Sequence, residues 1–564
     1  MNHIITALLV FITILQGGFS DAVWSLCGII IVLFLLFRAK KLPPTPALIL
    51  VLLLTAVYVV SAVIHGLPFE ALAVTSQIIV AVLLLFAFYN IEADINEAVF
   101  VSGMVVAIVG FVALSGLLHW EGAVVSNRLQ SVFQYANATG FFIGIAAFLT
   151  RTDAKRSEFA PFLETALILT QSVGALIVYC LGWSIYLLKN RDFKYQYVLC
   201  GFTASACTTG IVYAALLFSP VSQLALLPPI LLIVFRKKLS SWIEAVTMAH
   251  KKWFGLLGGG VFLLVASSFF LIRGFRPIAT YLERLIHIWD GLMIILRYPL
   301  GIGPGAWQFE LFAHQSSLYS VAKIHSEYIA VGVDAGFLAV IVLLLFILYW
   351  MKNKQFDEKA ICVIMVLMAA TMDVPFSFLS ITLVTMWLVA LTLPKPQNIT
   401  APLRVFFLLP LALFAVVFVQ SAMKNNAAWV ALTDPLEATE ILARLPIRND
   451  SDAALTRIAI YLHKDKHDLL DAVFEAMPNP NTVAHAQMTR SLIRRSLYED
   501  AAESAISAIK SGQHRLVTAE GLMEQILPNL DKTLREEYER KAELLIPEAN
   551  PLRRHINAIK GEET

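Results

Sequence analysis

The stretch KIHSEYIAVG, Lys323 to Gly332, places a histidine, a serine and a glutamate where a long apolar run begins. Near neutral pH a histidine can take a proton from an attacking hydroxyl. His325 is therefore a candidate general base, although a solvated cap at a helix start is an equally ordinary role for it. Glu327 lies two residues on, which points it away from His325 on a regular helix. It either faces another helix or serves as the base itself. Arginine keeps its proton and offers a planar fork of donors that fits phosphate. Arg128, in SNRLQSVFQYANATG, precedes Asn137 and Thr139 at the start of an apolar helix. It suits an anion clamp or a snorkelling interfacial arginine. Arg273, Arg276, Arg284 and Arg297 lie in the longest polar insertion before the tail, 273–325. Solvation explains any one of them. Arg284 stands apart because it lies on a candidate amphipathic helix, next to Glu283 and before Trp289. RYPLGIGPGAW, Arg297 to Trp307, carries Gly301, Gly303 and Gly305 with Pro299 and Pro304, which forces a tight, irregular backbone. No strand precedes it and no Gly-Lys-Ser follows, so it is neither a Walker loop nor a dinucleotide fingerprint.

These residues need elements to hold them, and composition says which kind. Of 564 residues, 58% are hydrophobic and 15% charged, with a mean hydropathy of +0.72. A soluble domain is nearer a quarter charged. The first 90 residues hold only Asp21, Arg38, Lys40, Lys41 and Glu70 as charged groups. After about residue 422 the composition becomes that of an ordinary charged, helical chain. The sequence therefore predicts an all-α protein. A polytopic membrane domain over 1–421 is followed by a soluble helical domain over 422–564. The net charge of +2 points to no particular partner. The five cysteines, Cys27, Cys180, Cys200, Cys207 and Cys362, all sit in apolar runs without metal-ligand spacing.

A spanning helix needs about 20 apolar residues. Candidate spans lie near 3–17, 22–37, 46–64, 70–89, 97–118, 134–150, 196–217, 220–236 and 254–272. Others lie near 326–350, 359–374, 378–394 and 403–421. The run 162–188 reads as one tilted helix or as two short ones turning at Gln171–Gly174. The hairpin puts all the basic clusters on one side, as the positive-inside rule requires. The expectation is about 12–15 membrane segments, a cytoplasmic N-terminus and an extracytoplasmic tail. The long loop 273–325 then lies outside. Within it, TYLERLIHIWDGLMIILRYP has the spacing of a helix lying on or dipping into the membrane surface. Asp373 with Pro375 reads as a short break between two spans. In the tail, DPLEATEILARLP, DAALTRIAIYLHKDK and YEDAAESAISAIKSG suggest stacked helical hairpins like tetratricopeptide repeats.

The segment RLIHIWDGLMIILRYPLGIGPGAWQFE, followed by KIHSEYIAVGVDAGFLAVIVLL, resembles the core signature of the O-antigen ligase and polymerase superfamily. Arg284, the Pro299–Gly305 turn, His325 and the Gly336-Phe337 pair take the positions of that signature. RLQSVFQYANATGFFI resembles a second family stretch and supplies Arg128 and Asn137. The resemblance covers about residues 1–420. It departs at the short hairpin, where the family's Ser-Arg-Gly is replaced by Gln171-Ser172-Val173-Gly174. Another arginine, Arg273 or Arg276, would then have to serve. Ser326 also replaces the common asparagine after the histidine.

The resemblance implies a bacterial cytoplasmic-membrane glycan transferase. Its donor would be a glycan on a polyprenyl diphosphate such as undecaprenyl diphosphate. Arg128 and Arg284 would meet the diphosphate, with His325 as base on an acceptor hydroxyl and the anomeric centre inverted. No metal or other cofactor is implied. The acceptor stays open between another lipid-linked glycan, a lipid-anchored core and a protein hydroxyl. Partners expected are the bilayer, the donor, the acceptor and a protein recruited by the tail, with no nucleic acid. A lipid-glycan flippase and a non-catalytic scaffold displaying the tail are the competing classes; no internal repeat favours a transporter.

Overall fold

The computed structural model describes residues 2–190, 195–218, 222–249, 276–316, 319, 321–394, 396–398, 401–477, 480–510 and 522–545. The expected span near 254–272 and Arg273 lie outside the described residues. Almost everything described is helix. The only strands among the described residues form two short ladders, Lys41–Leu42 with Gln397–Asn398 and Val124–Val125 with Arg128–Leu129. Helices satisfy their own backbone groups, which is what a chain this apolar requires away from water.

Among the described residues, six helices are long and apolar enough to cross a membrane: Asp21–Arg38, Thr45–Ile64, Phe69–Phe88, Ile95–Leu114, Glu327–Asn353 and Arg404–Val430. Five shorter apolar helices of 10–17 residues accompany them. Thr45–Ile64 leaves Ile49, Leu52, Val60 and Val63 exposed while Ala47, Val51, Tyr58 and Ala62 are buried. That is the pattern of a helix with lipid on one flank. Phe69–Phe88, by contrast, is buried over most of its length. The run 162–188 does divide, into Ala160–Leu169 and Val173–Lys189, with Gln171 at φ +50° between them.

The glycine turn after Arg297 works together with a break in the Glu327–Asn353 helix. Gly336 takes φ +81° and ψ −176°, which interrupts the helical hydrogen bonds and strands backbone groups. The turn satisfies them. The Ile302 N–H donates to the Val333 carbonyl at 2.8 Å, and the Phe337 N–H donates to the Pro299 carbonyl at 2.9 Å. The Gly305 N–H reaches the Asp334 carboxylate at 3.0 Å. A Cβ on Gly301 would lie 2.7 Å from the carbonyl oxygens of Val333 and Asp334, at a φ of +79°. Gly301→Ala is therefore expected to lower the thermal unfolding temperature more than Gly66→Ala. Gly66 shares the positive φ, +80°, but has open space around it. The φ penalty alone is about 1–2 kcal/mol. Equal melting shifts in detergent would contradict the docking of this turn on the broken helix.

The change of composition near residue 422 falls inside the helix Leu411–Val430, which runs on to Val430. Five helices follow between Pro435 and Lys510, and Lys532–Leu545 comes after them. They have their own core around Ile458, Leu470, Met488, Ala505 and Ile509. This helical tail is tied to the membrane helices. The Glu70 carboxylate accepts from the Ser451 and Asp452 N–H groups at 2.8 and 3.3 Å. It sits at the positive end of the helix Ser451–His463. Asp450 accepts from Gln420 and Lys424.

Candidate active site

The helix Arg276–Arg297 has two unlike faces. Tyr281, Leu285, Trp289, Leu292 and Leu296 recur at helical spacing and are exposed. Ile286, His287, Asp290 and Ile294 are buried on the other side. That inner face packs closely on the first turns of Glu327–Asn353. Gly291 meets Ile329, and Gly332 meets Ile295, with no room for a Cβ at either glycine. Together with the docked glycine turn, this packing fixes Arg284 and His287 near the residues preceding Glu327.

Arg284 is the start of a connected polar cluster. Its Nη1 donates to the Met372 carbonyl at 2.5 Å and pairs with Asp373 Oδ2 at 3.1 Å. Asp373 is buried, and its carboxylate also accepts from the Tyr135 hydroxyl at 2.8 Å, Asn137 Nδ2 at 2.7 Å and the Val374 N–H at 2.9 Å. Asn137 Oδ1 in turn accepts from the Ser172 hydroxyl at 2.9 Å. Arg128 reaches the same hairpin, its Nε donating to the Thr170 carbonyl at 3.2 Å. Four separate stretches of chain thus converge: 128–137, the 170–172 hairpin, Arg284 and 372–374.

His325 stands beside this cluster. Its Nδ1 is buried and has no hydrogen-bond partner among the described residues. Its ring centroid lies 5.5 Å from that of His287, which packs 4.4 Å from Tyr319. The Tyr319 hydroxyl donates to Asp290 at 2.7 Å, and the Ser316 N–H donates to the same oxygen at 3.0 Å. Asp290 thereby pins the loop before His325 to the helix bearing Arg284. Burial lowers the His325 pKa below its usual value, and the positive charge of Arg284 lowers it further. Asp373 and Glu283 oppose the shift without reversing it. The imidazole is therefore neutral at neutral pH, the form that can accept a proton.

Glu327 goes elsewhere. Its carboxylate accepts from the Phe376 N–H at 2.9 Å and lines an apolar cavity that neither His325 nor Arg284 borders. The two-residue spacing does separate them, and Glu327 does not orient the histidine. Arg276 opens its helix. Gly301, Gly303 and Gly305 all have positive φ and shape the turn rather than face the cluster.

Asp373, Tyr135, His287 and Asp290 are the members that sequence reasoning passed over. A signal existed for two of them: His287 and Asp290 follow Arg284 at steps of three on an amphipathic helix. Asp373 does lie in the break expected between two spans, between the helices Glu358–Ala369 and Leu379–Thr392, and there it is also the counter-ion of Arg284. A lone carboxylate in an apolar run calls for a cationic partner. Chemically, the cluster offers a guanidinium whose two contacts both use Nη1, a second arginine across the hairpin and an uncharged imidazole. Such a set can hold an anion and take up a proton beside it. Comparison with protein-family models gives no match for this chain, and comparison with curated proteins gives none either.

Proposed function

We propose that the protein is a membrane glycan transferase of the O-antigen ligase type. In this reading it moves a glycan from a polyprenyl-diphosphate carrier to an acceptor hydroxyl at the outer face of the bacterial cytoplasmic membrane. The N-terminus would be cytoplasmic and the helical tail extracytoplasmic. The observation that carries the reading is the convergence of Arg284, Asn137, Asp373 and the Arg128 hairpin beside a neutral His325. Negative charge grows on the diphosphate as the glycosidic bond breaks, and preorganised donors stabilise it most at that point. His325 would take the acceptor's proton while the oxygen attacks the anomeric carbon, so one inversion results. The tail, with tetratricopeptide-like stacking, would present the acceptor or recruit a partner for cell-envelope polysaccharide or glycoconjugate assembly.

The test is reconstitution of the full chain in liposomes with a polyprenyl-diphosphate glycan and a set of hydroxyl acceptors. A covalent glycan–acceptor product and release of the polyprenyl diphosphate are expected. Movement of intact donor between leaflets without product would favour the flippase. Neither product nor donor movement would favour the scaffold.

A further inference from the structure

A cavity of about 540 Å³ lies between the helices Asp21–Arg38, Thr45–Ile64, Phe69–Phe88, Glu327–Asn353 and Leu379–Thr392. It falls within the size range of ligand sites. None of Arg128, Arg284 and His325 lines it, although Lys323, Ile324 and Glu327 on either side of His325 in the chain do. Along the helix Phe69–Phe88 its wall runs from Phe69 to Leu85, roughly 24 Å at about 1.5 Å per residue. That approaches the thickness of a bilayer's hydrocarbon core, about 30 Å. The far part is walled by Leu54, Val82, Leu85, Leu343, Trp350 and Val389. An apolar volume of this kind does not hold water well. At membrane depth the matching occupant is a hydrocarbon chain.

The other end is polar, and its chemistry is uneven. Among the described residues, Asp21, Glu70, Glu327, Asp334 and Asp452 meet only two amines, Lys323 and Lys424. Lys424 is already shared between Asp450 and Asp452. Asp21 accepts from Gln77, Glu327 from the Phe376 N–H and Asp334 from the Gly305 N–H. Carboxylates thus outnumber amines at this end. A phosphate headgroup would meet more carboxylates than amines, whereas hydroxyl donors would find acceptors. Trp24, Tyr58 and Trp307 add flat aromatic surface there. Hydroxyls facing carboxylates, beside aromatic faces, are matched by a sugar.

We propose that this cavity binds a single-chain glycolipid, with the chain between the membrane helices and an uncharged, hydroxyl-rich head at the Asp21–Lys323–Asp334 end. It is separate from the arginine cluster and of opposite electrostatic preference. The tail contributes to it directly through Asp452, and Glu70 in the wall lies beneath the Ser451–His463 helix of the tail.

The experiment uses the full chain in phosphatidylcholine nanodiscs and dodecyl glucoside carrying a diazirine in its alkyl chain. After photolysis, adducts are mapped by peptide mass spectrometry. Expected are adducts on Thr45–Ile64 and Glu327–Asn353 at cavity-lining positions such as Leu54 and Leu343. Dodecyl maltoside should compete them away and dodecyl phosphate should not. Val82→Trp, which fills the cavity, should lower these adducts about tenfold; the competition pair on the unaltered chain keeps the test valid if that variant does not fold. Equal competition by dodecyl phosphate would overturn the proposal. So would adducts confined to lipid-facing positions such as Ile49 and Val60.

Discussion

Asp373→Ala is expected to lose transfer and to destabilise the membrane domain together. The carboxylate accepts from Tyr135, Asn137, Arg284 and the Val374 N–H. The Asp373 side chain is 2% exposed and that of Arg284 13%. Removing one partner of a buried ion pair costs about 3–5 kcal/mol, because the other charge stays behind uncompensated. Tyr135 and Asn137, both half-buried, each also lose an acceptor, although Asn137 Nδ2 keeps its bond to the Tyr135 hydroxyl. Asp373→Asn keeps the shape and one acceptor oxygen but turns an amide toward one of its donors. Its melting shift should be smaller than that of the alanine variant. The check is thermal unfolding in detergent beside transfer in liposomes. An Asp373→Ala protein with unchanged melting would contradict the central place given to this carboxylate.

Arg284→Gln should reduce transfer by about 10²–10³-fold, the usual loss when one donor to a developing charge is removed. Arg284→Lys should not restore it. A lysine ammonium can sit beside Asp373 but cannot at the same time present a planar fork to a diphosphate. The substitution also has a signature in pH. Arg284 is one of the two causes that hold the His325 pKa down. Without it that pKa rises toward the ordinary histidine value, near 6.5. A base works only when unprotonated, so the acid limb of the residual activity should move to higher pH in Arg284→Gln. An acid limb that stayed in place would separate Arg284 from His325.

The sequence made the helix 276–297 legible because its apolar repeat is local. The hairpin at Gln171 was legible from charge placement around it. The glycine turn was legible as a turn but not in its purpose. What it docks on is the break at Gly336, and nothing near Pro299 in the sequence says so. Asp373 was missed for the same reason. Its partners Tyr135 and Asn137 lie 238 and 236 residues away, and Arg284, from 284 to 373, lies 89 away. Side chains paired over such distances leave no periodic mark. Glu327 sits beside His325 in the chain, yet the start of the helix between them sends it to the cavity. The step in composition near 422 marked where apolar residues thin out, but a helix entered on apolar residues continues through Ser421 to Val430.

The most direct test is transfer by His325→Ala compared with the unaltered chain. Both are placed in liposomes with the same polyprenyl-diphosphate glycan and acceptor, and donor binding is measured in parallel. A general base contributes about 10²–10⁴-fold. A loss of that size is predicted with donor binding retained, since the arginine cluster stays intact. Transfer at the unaltered rate would contradict the assignment and remove His325 from the chemistry.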